Sequence, residues 1–359
     1  MTNDSANASE KLEKMGAVLK RGRRLGIVVH NNPDPDSIAG AAGLQALARR
    51  HFSVTADIFY GGVIGRAENR AFINELGIKM FHSEAIDLRK YRLVALVDTQ
   101  PGSGNYFLPG RAVPDVVIDH HHPVRRATRE ARFADVRTGY GATSTIVTEY
   151  LREAGVRIGK SLATALFRGI KTDTYDLGRE AGGADLEAYR FLLDLADHVR
   201  LSRIENPPLS REYYEQFYLC LTSAEIYDDV LVSVMPRTPY PDVTAEIADW
   251  FYRMKKIRWV LVIGIHEGKR IYFSVRTHDR KVNAARVVRR AVGKQGSAGG
   301  HGMIAGGSIQ PRSPAGETRE GEIHNDVVFL KRRLLTALGK DPGMKPAPLI
   351  ETTEQAMKS

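Results

Sequence analysis

The chain has 359 residues, long enough for two cores, and its 43% hydrophobic content includes no run approaching the roughly 18–20 apolar residues that a membrane-spanning helix needs. Its formal charge of +10 favours anionic partners such as nucleotides, short nucleic acids or phosphorylated substrates, although the basic residues are spread over "KRGRR", "RRATREAR", "RMKKIR", "RVVRRA" and "KRR" instead of forming one tail. A single cysteine, Cys220, excludes an intramolecular disulfide and a cysteine-rich zinc site.

The polar start "MTNDSANASEKLEKMG" lacks the apolar segment of a signal peptide, so residues 1–15 are expected as a disordered start and the cytoplasm as the location, with no membrane partner. "RLGIVVH" predicts a short buried strand and "SIAGAAGLQALARR" a helix of small and apolar residues. "SVTADIF" predicts a second strand, "RAENRAFINELG" a helix closed by glycine, "RLVALVD" a third strand and "DVVIDHHH" a fourth. Strands alternating with helices predict an α/β fold, a doubly wound and mostly parallel sheet, over residues 16–200. From "ATSTIVTEYLREAG" through "SLATALFRGIKTDTYDLG" to "ADLEAYRFLLDLAD" the chain reads as successive helices. The Pro-Pro pair in "RIENPPLS" halts them and marks a boundary, with a linking helix in the region 201–227. Cys220 falls there in "YYEQFYLCLTSAEIY", where apolar residues recur at helical spacing, and reads as core. Beyond it, "DVLVSVMP", "IRWVLVIGIHEGKRIYFSVRT" and "NAARVVRRAVG" predict a smaller α/β domain over 228–340, with a hairpin at "HEGKR" and a glycine-rich end, "GSAGGHGMIAGG". Residues 341–359 read as a mobile tail.

The chemistry-bearing residues collect at predicted strand ends, where open α/β sheets place their ligand crevice. His30, Asp34 and Asp36 follow the first strand; Asp98 ends the third; Asp119, His120 and His121 end the fourth. Asp173, in "GIKTDTYD", follows an apolar helix. Taken singly, each has a plain reading as a turn residue, a helix N-cap or a surface histidine. Together the carboxylates would repel one another, and divalent ions relieve that most simply. Oxygen and imidazole ligands without thiolate favour Mn2+, with Mg2+, Co2+ or Fe2+ as alternatives. Paired ions are typical of phosphoryl-transfer enzymes.

Four motifs in order, "HNNPDPD", "LVDT", "IDHH" and "TDT", followed by "GGHGMIAGG", resemble the DHH phosphoesterase family, named for the triplet Asp119-His120-His121. Length, order and the glycine-rich segment most resemble its branch of bacterial oligoribonucleases and 3′-phosphoadenosine 5′-phosphate phosphatases, with the exonuclease RecJ more distant. The resemblance implies two Mn2+ ions, His30 and Asp34 holding one, Asp36, His120 and Asp173 the other, and Asp98 bridging. It gives catalytic roles to Asp98, to His121 facing the substrate phosphate, and to Asp119 orienting a histidine. In the relatives the glycine-rich segment binds substrate across a cleft between the domains, and Gly299, Gly300 and His301 match it. Arg276, in "SVRT", matches an arginine that clamps a phosphate. Pro35 stands where relatives often have glycine, and Ile304 where a smaller residue is commoner; His122 carries no assigned role.

The implied function is metal-dependent hydrolysis of short oligoribonucleotides or 3′-phosphoadenosine 5′-phosphate by a two-metal-activated hydroxide. The alternatives are a cyclic or linear dinucleotide phosphodiesterase, a RecJ-like single-strand exonuclease and, outside enzymes, a nucleotide sensor. The substrate partner is short RNA or a small phosphorylated nucleotide. Oligomeric state stays open, a homodimer being common for such folds. Arg125, Arg126, Arg129 and Arg132 form a basic cluster that either guides substrate or is simply solvated.

Overall fold

The computed structural model describes residues 3–20, 24–108, 113–311 and 320–350. The chain divides into two compact units between Pro207 and Pro208, inside the Pro-Pro pair.

The first unit is built on six parallel strands in the order β3-β2-β1-β4-β5-β6. These are β1 (Arg24–Val28), β2 (Thr55–Tyr60), β3 (Met80–His82), β4 (Leu93–Val97), β5 (Val116–Asp119) and β6 (Phe133–Val136). β4 and β5 are buried at every residue, which is why their sequences are continuous apolar runs without alternation. The edge strands β3 and β6 carry no such run and escape sequence reading.

Helices α2 (Pro35–Arg50), α3 (Ala67–Leu76), α4 (Thr143–Glu153), α5 (Lys160–Asp173), α6 (Gly183–Leu193) and α7 (His198–Glu205) complete the unit. Asp34 is the N-cap of α2, accepting from Ser37 N at 2.9 Å, and Pro35 occupies the adjoining position, where its fixed φ suits a helix start. Pro35 therefore fits the start of the helix. Gly43 lets α2 press onto α4 and α5, because a Cβ there would collide with Val147 Cγ1 and crowd Leu166.

The start expected to be disordered forms α1 (Asn3–Leu19). Its Leu12, Met15, Val18 and Leu19 recur at helical spacing and are buried in the core of the first unit. The polar residues between them hide that stripe from a reading based on mean polarity.

The second unit holds a seven-stranded mixed sheet in the order β11-β12-β10-β9-β8-β7-β13. Its strands are β7 (Glu225–Tyr227), β8 (Val230–Thr238), β9 (Trp259–His266), β10 (Arg270–Thr277), β11 (Gly296–His301), β12 (Ile304–Ile309) and β13 (Ala347–Pro348). Among the described residues of this unit, only β8 and β9 pair in parallel. The hairpin at "HEGKR" joins β9 to β10 through Glu267 and Gly268, both with positive φ. Helices α10 (Ala284–Val292) and α11 (Glu320–Ala337) contribute to one core; α8 (Arg211–Thr222) and α9 (Val243–Phe251) contribute to another. The expected linking helix is thus α8, a part of the second unit. Cys220 lies fully buried in it, and burial pushes its thiol up to about 12, as suits a core residue.

In the expected mobile tail, β13 pairs with β7 and Leu349 N donates to Ala224 O, so that reading fails for 347–349; residues 351–359 lie outside the described residues. No helix among the described residues is long and apolar enough to cross a membrane.

Truncating Met15 to alanine tests the packing of α1. Because Met15 is fully buried, the first unit is expected to lose about 2–5 kcal/mol, read from its denaturant midpoint; an unchanged midpoint would return α1 to a dispensable extension.

Candidate metal centre

The strand register assembles the centre. Val28 of β1 lies level with Leu96 of β4, and Val97 of β4 with Ile118 of β5. Two residues beyond Val28 is His30; one beyond Val97 is Asp98; one beyond Ile118 is Asp119. The three chain segments therefore deliver their polar residues to one edge of the sheet. The start of α2 and the end of α5 add Asp34, Asp36 and Asp173.

Three overlapping groups result: His30 with Asp34 and Asp98; Asp36 with His120 and Asp173; and Asp98 with His120 and His121. Within each, the ligand atoms lie within 4.8 Å of one another. His30 Nε2 stands 3.5 Å from both Asp34 Oδ1 and Asp98 Oδ2. His120 Nε2 lies 3.0 Å from Asp173 Oδ2, 3.5 Å from Asp98 Oδ1 and 4.0 Å from Asp36 Oδ2. All six residues expected to hold metal are thus brought together within the first unit.

Each imidazole is oriented through its other nitrogen. His30 Nδ1 donates to Asn31 O at 2.9 Å and His120 Nδ1 to Tyr140 O at 3.1 Å, which leaves each Nε2 lone pair facing the carboxylates when the ring is neutral. His121 Nδ1 is 2.8 Å from Asp119 Oδ1, and at 42% side-chain exposure this is the most accessible of the three rings. Asp119, fully buried, is thus the orienting group for His121.

Asp98 is about 1% exposed and has a φ of +60°, a left-handed conformation that adds of order 1 kcal/mol of strain at a non-glycine residue. Its Oδ1 accepts from Thr143 Oγ1 at 2.8 Å. Its Oδ2 and His120 Nε2 are buried without a hydrogen-bond partner among the described residues. With the His120 ring neutral, an anionic oxygen and an imidazole lone pair, both ringed by ligand-type atoms, suit a divalent cation.

Electrostatics points the same way. Burial, together with the charges of Asp98 and Asp173, pushes Asp36 well above the usual carboxylate range. Burial opposes the charged form of His30, His120 and His121, but the surrounding carboxylates outweigh it and raise all three, His121 to about 9. Asp34, facing His30, is held below the ordinary range despite its burial. Without cations the cluster relieves its repulsion by taking up protons.

Several supporting residues carry no motif in the sequence. Thr143 N and Ser144 N, in the first turn of α4, donate to Asp36 at 2.7 and 2.9 Å. Ala142, the N-cap of α4, has no side-chain acceptor, so the exposed N–H groups of "ATST" had to be satisfied from elsewhere; that uncapped start was the available signal. Gln100 binds four groups at once. Its Nε2 donates to Asp119 Oδ2 at 2.7 Å and to His121 O at 2.9 Å; its Oε1 accepts from Arg125 N and Thr128 Oγ1.

In the second unit the expected substrate contacts fare differently. Arg276 is 5% exposed, and its Nε donates to Asp249 at 2.6 Å while its Nη1 and Nη2 donate to Val275 O and Ala245 O. It is a buried guanidinium paired with Asp249, with three of its five N–H donors already engaged inside the second unit. Gly299 and Gly300 lie within β11, not in a flexible loop. A Cβ at Gly300 would collide with Ile304 O, and its φ of +133° also calls for glycine; at Gly299 a Cβ would meet nothing within 4 Å, leaving the backbone open to approach. The backbone of His301 pairs with Ile304, itself level with Arg276; the His301 side chain lies outside the described residues.

Residues 24–170 match the DHH family, N-terminal domain, and residues 228–318 match the DHHA1 domain. An uncharacterised protein of Methanocaldococcus jannaschii is 35% identical over 323 residues, covering 85% of this chain; the chain spans 65% of that relative's length. An exopolyphosphatase-related protein from Bacteroides fragilis superposes with a TM-score of 0.67 at 15% identity, covering 92% of this chain and 98% of its own. Exonuclease RecJ bound to manganese gives 0.48 at 14% identity, covering 96% and 97%.

Replacing Gln100 with leucine is expected to leave Asp119, and with it the His121 ring, free to turn, while the fold is retained by circular dichroism and Mn2+ affinity stays near that of the wild type. Nuclear magnetic resonance of the His121 ring reads this, and a ring as ordered as in the wild type would deny Gln100 its orienting role.

Proposed function

From a chain that carries a DHH-family N-terminal domain and a DHHA1 domain, and so the fold of the family's phosphoesterases, we propose a metal-dependent enzyme that hydrolyses short oligoribonucleotides, 3′-phosphoadenosine 5′-phosphate or both. The observation that carries this reading is the pair of orphaned buried atoms, Asp98 Oδ2 and His120 Nε2, inside three overlapping groups of carboxylates and imidazoles.

His30, Asp34 and Asp98 would hold one ion; Asp36, His120, Asp173 and the shared Asp98 would hold a second. The donor set, oxygen and imidazole without sulfur, suits Mn2+, with Mg2+, Co2+ or Fe2+ as alternatives. Bound there, the ions would supply Lewis acidity, making water a nucleophile and neutralising charge on the phosphoryl oxygens.

The chain's own residues supply position. The α4 N-terminus and Thr143 fix the Asp36 and Asp98 carboxylates, so they need not reorganise as charge develops. Asp119, locked by Gln100, holds the His121 ring, which is accessible enough to meet a phosphoryl oxygen. Water adds to phosphorus, the ester P–O bond breaks, and the departing alcohol oxygen takes up a proton. From 3′-phosphoadenosine 5′-phosphate this yields adenosine 5′-phosphate and inorganic phosphate.

The test is a product assay with Mn2+ on an RNA dinucleotide, a long single strand, 3′-phosphoadenosine 5′-phosphate and cyclic di-AMP. Fast conversion of the dinucleotide or the bisphosphate is expected. Attack on the long strand alone would favour the exonuclease reading, conversion of cyclic di-AMP alone the cyclic dinucleotide reading, and binding without products a sensor. Asp98→Ala is expected to abolish turnover with the fold intact, and a fully active variant would overturn the mechanism. Chelation should remove activity and added Mn2+ restore it.

A further inference from the structure

Immediately after the triplet, the segment 122–132, "HPVRRATREAR", sets four arginines against one glutamate. Part of it forms a 3-10 turn over Arg126–Glu130, fastened from inside. Thr128, 2% exposed, donates to Gln100 Oε1 at 3.1 Å, and Arg125 N donates to the same oxygen at 2.7 Å. The other end of that amide binds Asp119 and His121 O, so one buried side chain ties the turn to the candidate metal centre.

The four arginines are not equivalent. Arg125 Nη1 donates to Gly102 O at 2.9 Å, and Arg132 pairs with Asp115 at 2.7 Å. Arg126 and Arg129 are exposed, and among the described residues neither forms an ion pair or a side-chain hydrogen bond. In a 3-10 helix residues three apart stand on the same side, so these two guanidinium-bearing side chains project from one edge of the turn, about 6 Å apart along its axis, while Thr128 points inward. Two aligned cations without acidic partners, held on a rigid base beside a phosphate-handling centre, complement a repeating anion.

We propose that the turn at 126–130 is a substrate arm that takes the phosphodiester backbone of a single-stranded oligonucleotide beyond the bond being cleaved, with Arg126 and Arg129 each meeting a phosphate. The proposal rests on the phosphoesterase reading and deepens it: the preferred substrate is an oligonucleotide with several phosphates, and the arm distinguishes it from one with a single phosphate.

The experiment compares adenylyl-(3′,5′)-adenosine, whose only phosphate is the scissile one, with pentaadenylate. For each, kcat/KM is measured with Mn2+ across a range of KCl concentrations. Wild-type protein is expected to show the steeper salt dependence on pentaadenylate. In Arg126→Ala/Arg129→Ala the log–log slope for pentaadenylate should fall by about 1.4, two contacts at roughly 0.7 each for a single strand, through a higher KM. Arg126→Lys/Arg129→Lys keeps the charges and should keep most of the slope. An alanine variant with the wild-type slope, or one that loses both substrates equally, overturns the proposal.

Anisotropy of labelled pentaadenylate separates the two readings. A wild-type protein that cleaves neither substrate, yet binds with a salt slope the alanine variant loses, would refute the phosphoesterase reading and uphold the arm. Absence of salt-dependent binding would refute the arm.

Discussion

A carboxylate buried at the end of a central parallel strand needs positive charge or protons close by, and Asp98 imposes that need on everything around it. It lies between His30 and His120, each brought to it by a neighbouring strand and each held by a backbone carbonyl behind its ring. Asp36 and Asp173 add further negative charge to the same place, and no lysine or arginine forms an ion pair with Asp36, Asp98 or Asp173 among the described residues. Isolated carboxylates packed this way would destabilise the fold by several kcal/mol. Divalent ions would turn the same crowding into a binding site.

The surrounding structure serves to hold the carboxylates in place. The start of α4, lacking a cap of its own, satisfies its first N–H groups on Asp36; Thr143 then reaches Asp98. Gln100 does the equivalent on the other side, joining Asp119 and the His121 carbonyl to the arginine-bearing turn. Orientation thus comes from neutral donors and backbone groups, which leaves the negative charge available to cations. The second unit has cores of its own, and its glycine-rich segment is explained in part by strand packing: Gly300 is required by the closeness of Ile304 O, whereas Gly299 leaves its backbone open.

Much of this was legible in the sequence, for a definite reason. Fully buried parallel strands appear as uninterrupted apolar runs, and the residue that ends such a run must lie at the sheet edge, so His30, Asp98 and Asp119 could be placed without coordinates. The edge strands β3 and β6 were not legible, since a half-exposed strand of three or four residues carries too little pattern. The helix α1 was lost behind its polar residues, although Leu12, Met15 and Leu19 recorded its buried face. Gln100 and Thr143 act by contacts between segments distant in sequence, which no local pattern reveals. Arg276 matched a family position, but its partner Asp249 lies 27 residues away in the chain, and its ion pair is visible only in three dimensions.

The most direct measurement is the number and arrangement of ions bound. Titrating metal-free protein with Mn2+ and following it by electron paramagnetic resonance should give two ions per chain with the spectrum of a spin-coupled pair, because the two groups share Asp98. A single uncoupled ion, or none above the level of a chain carrying His30→Ala and His120→Ala together, would contradict the two-ion centre.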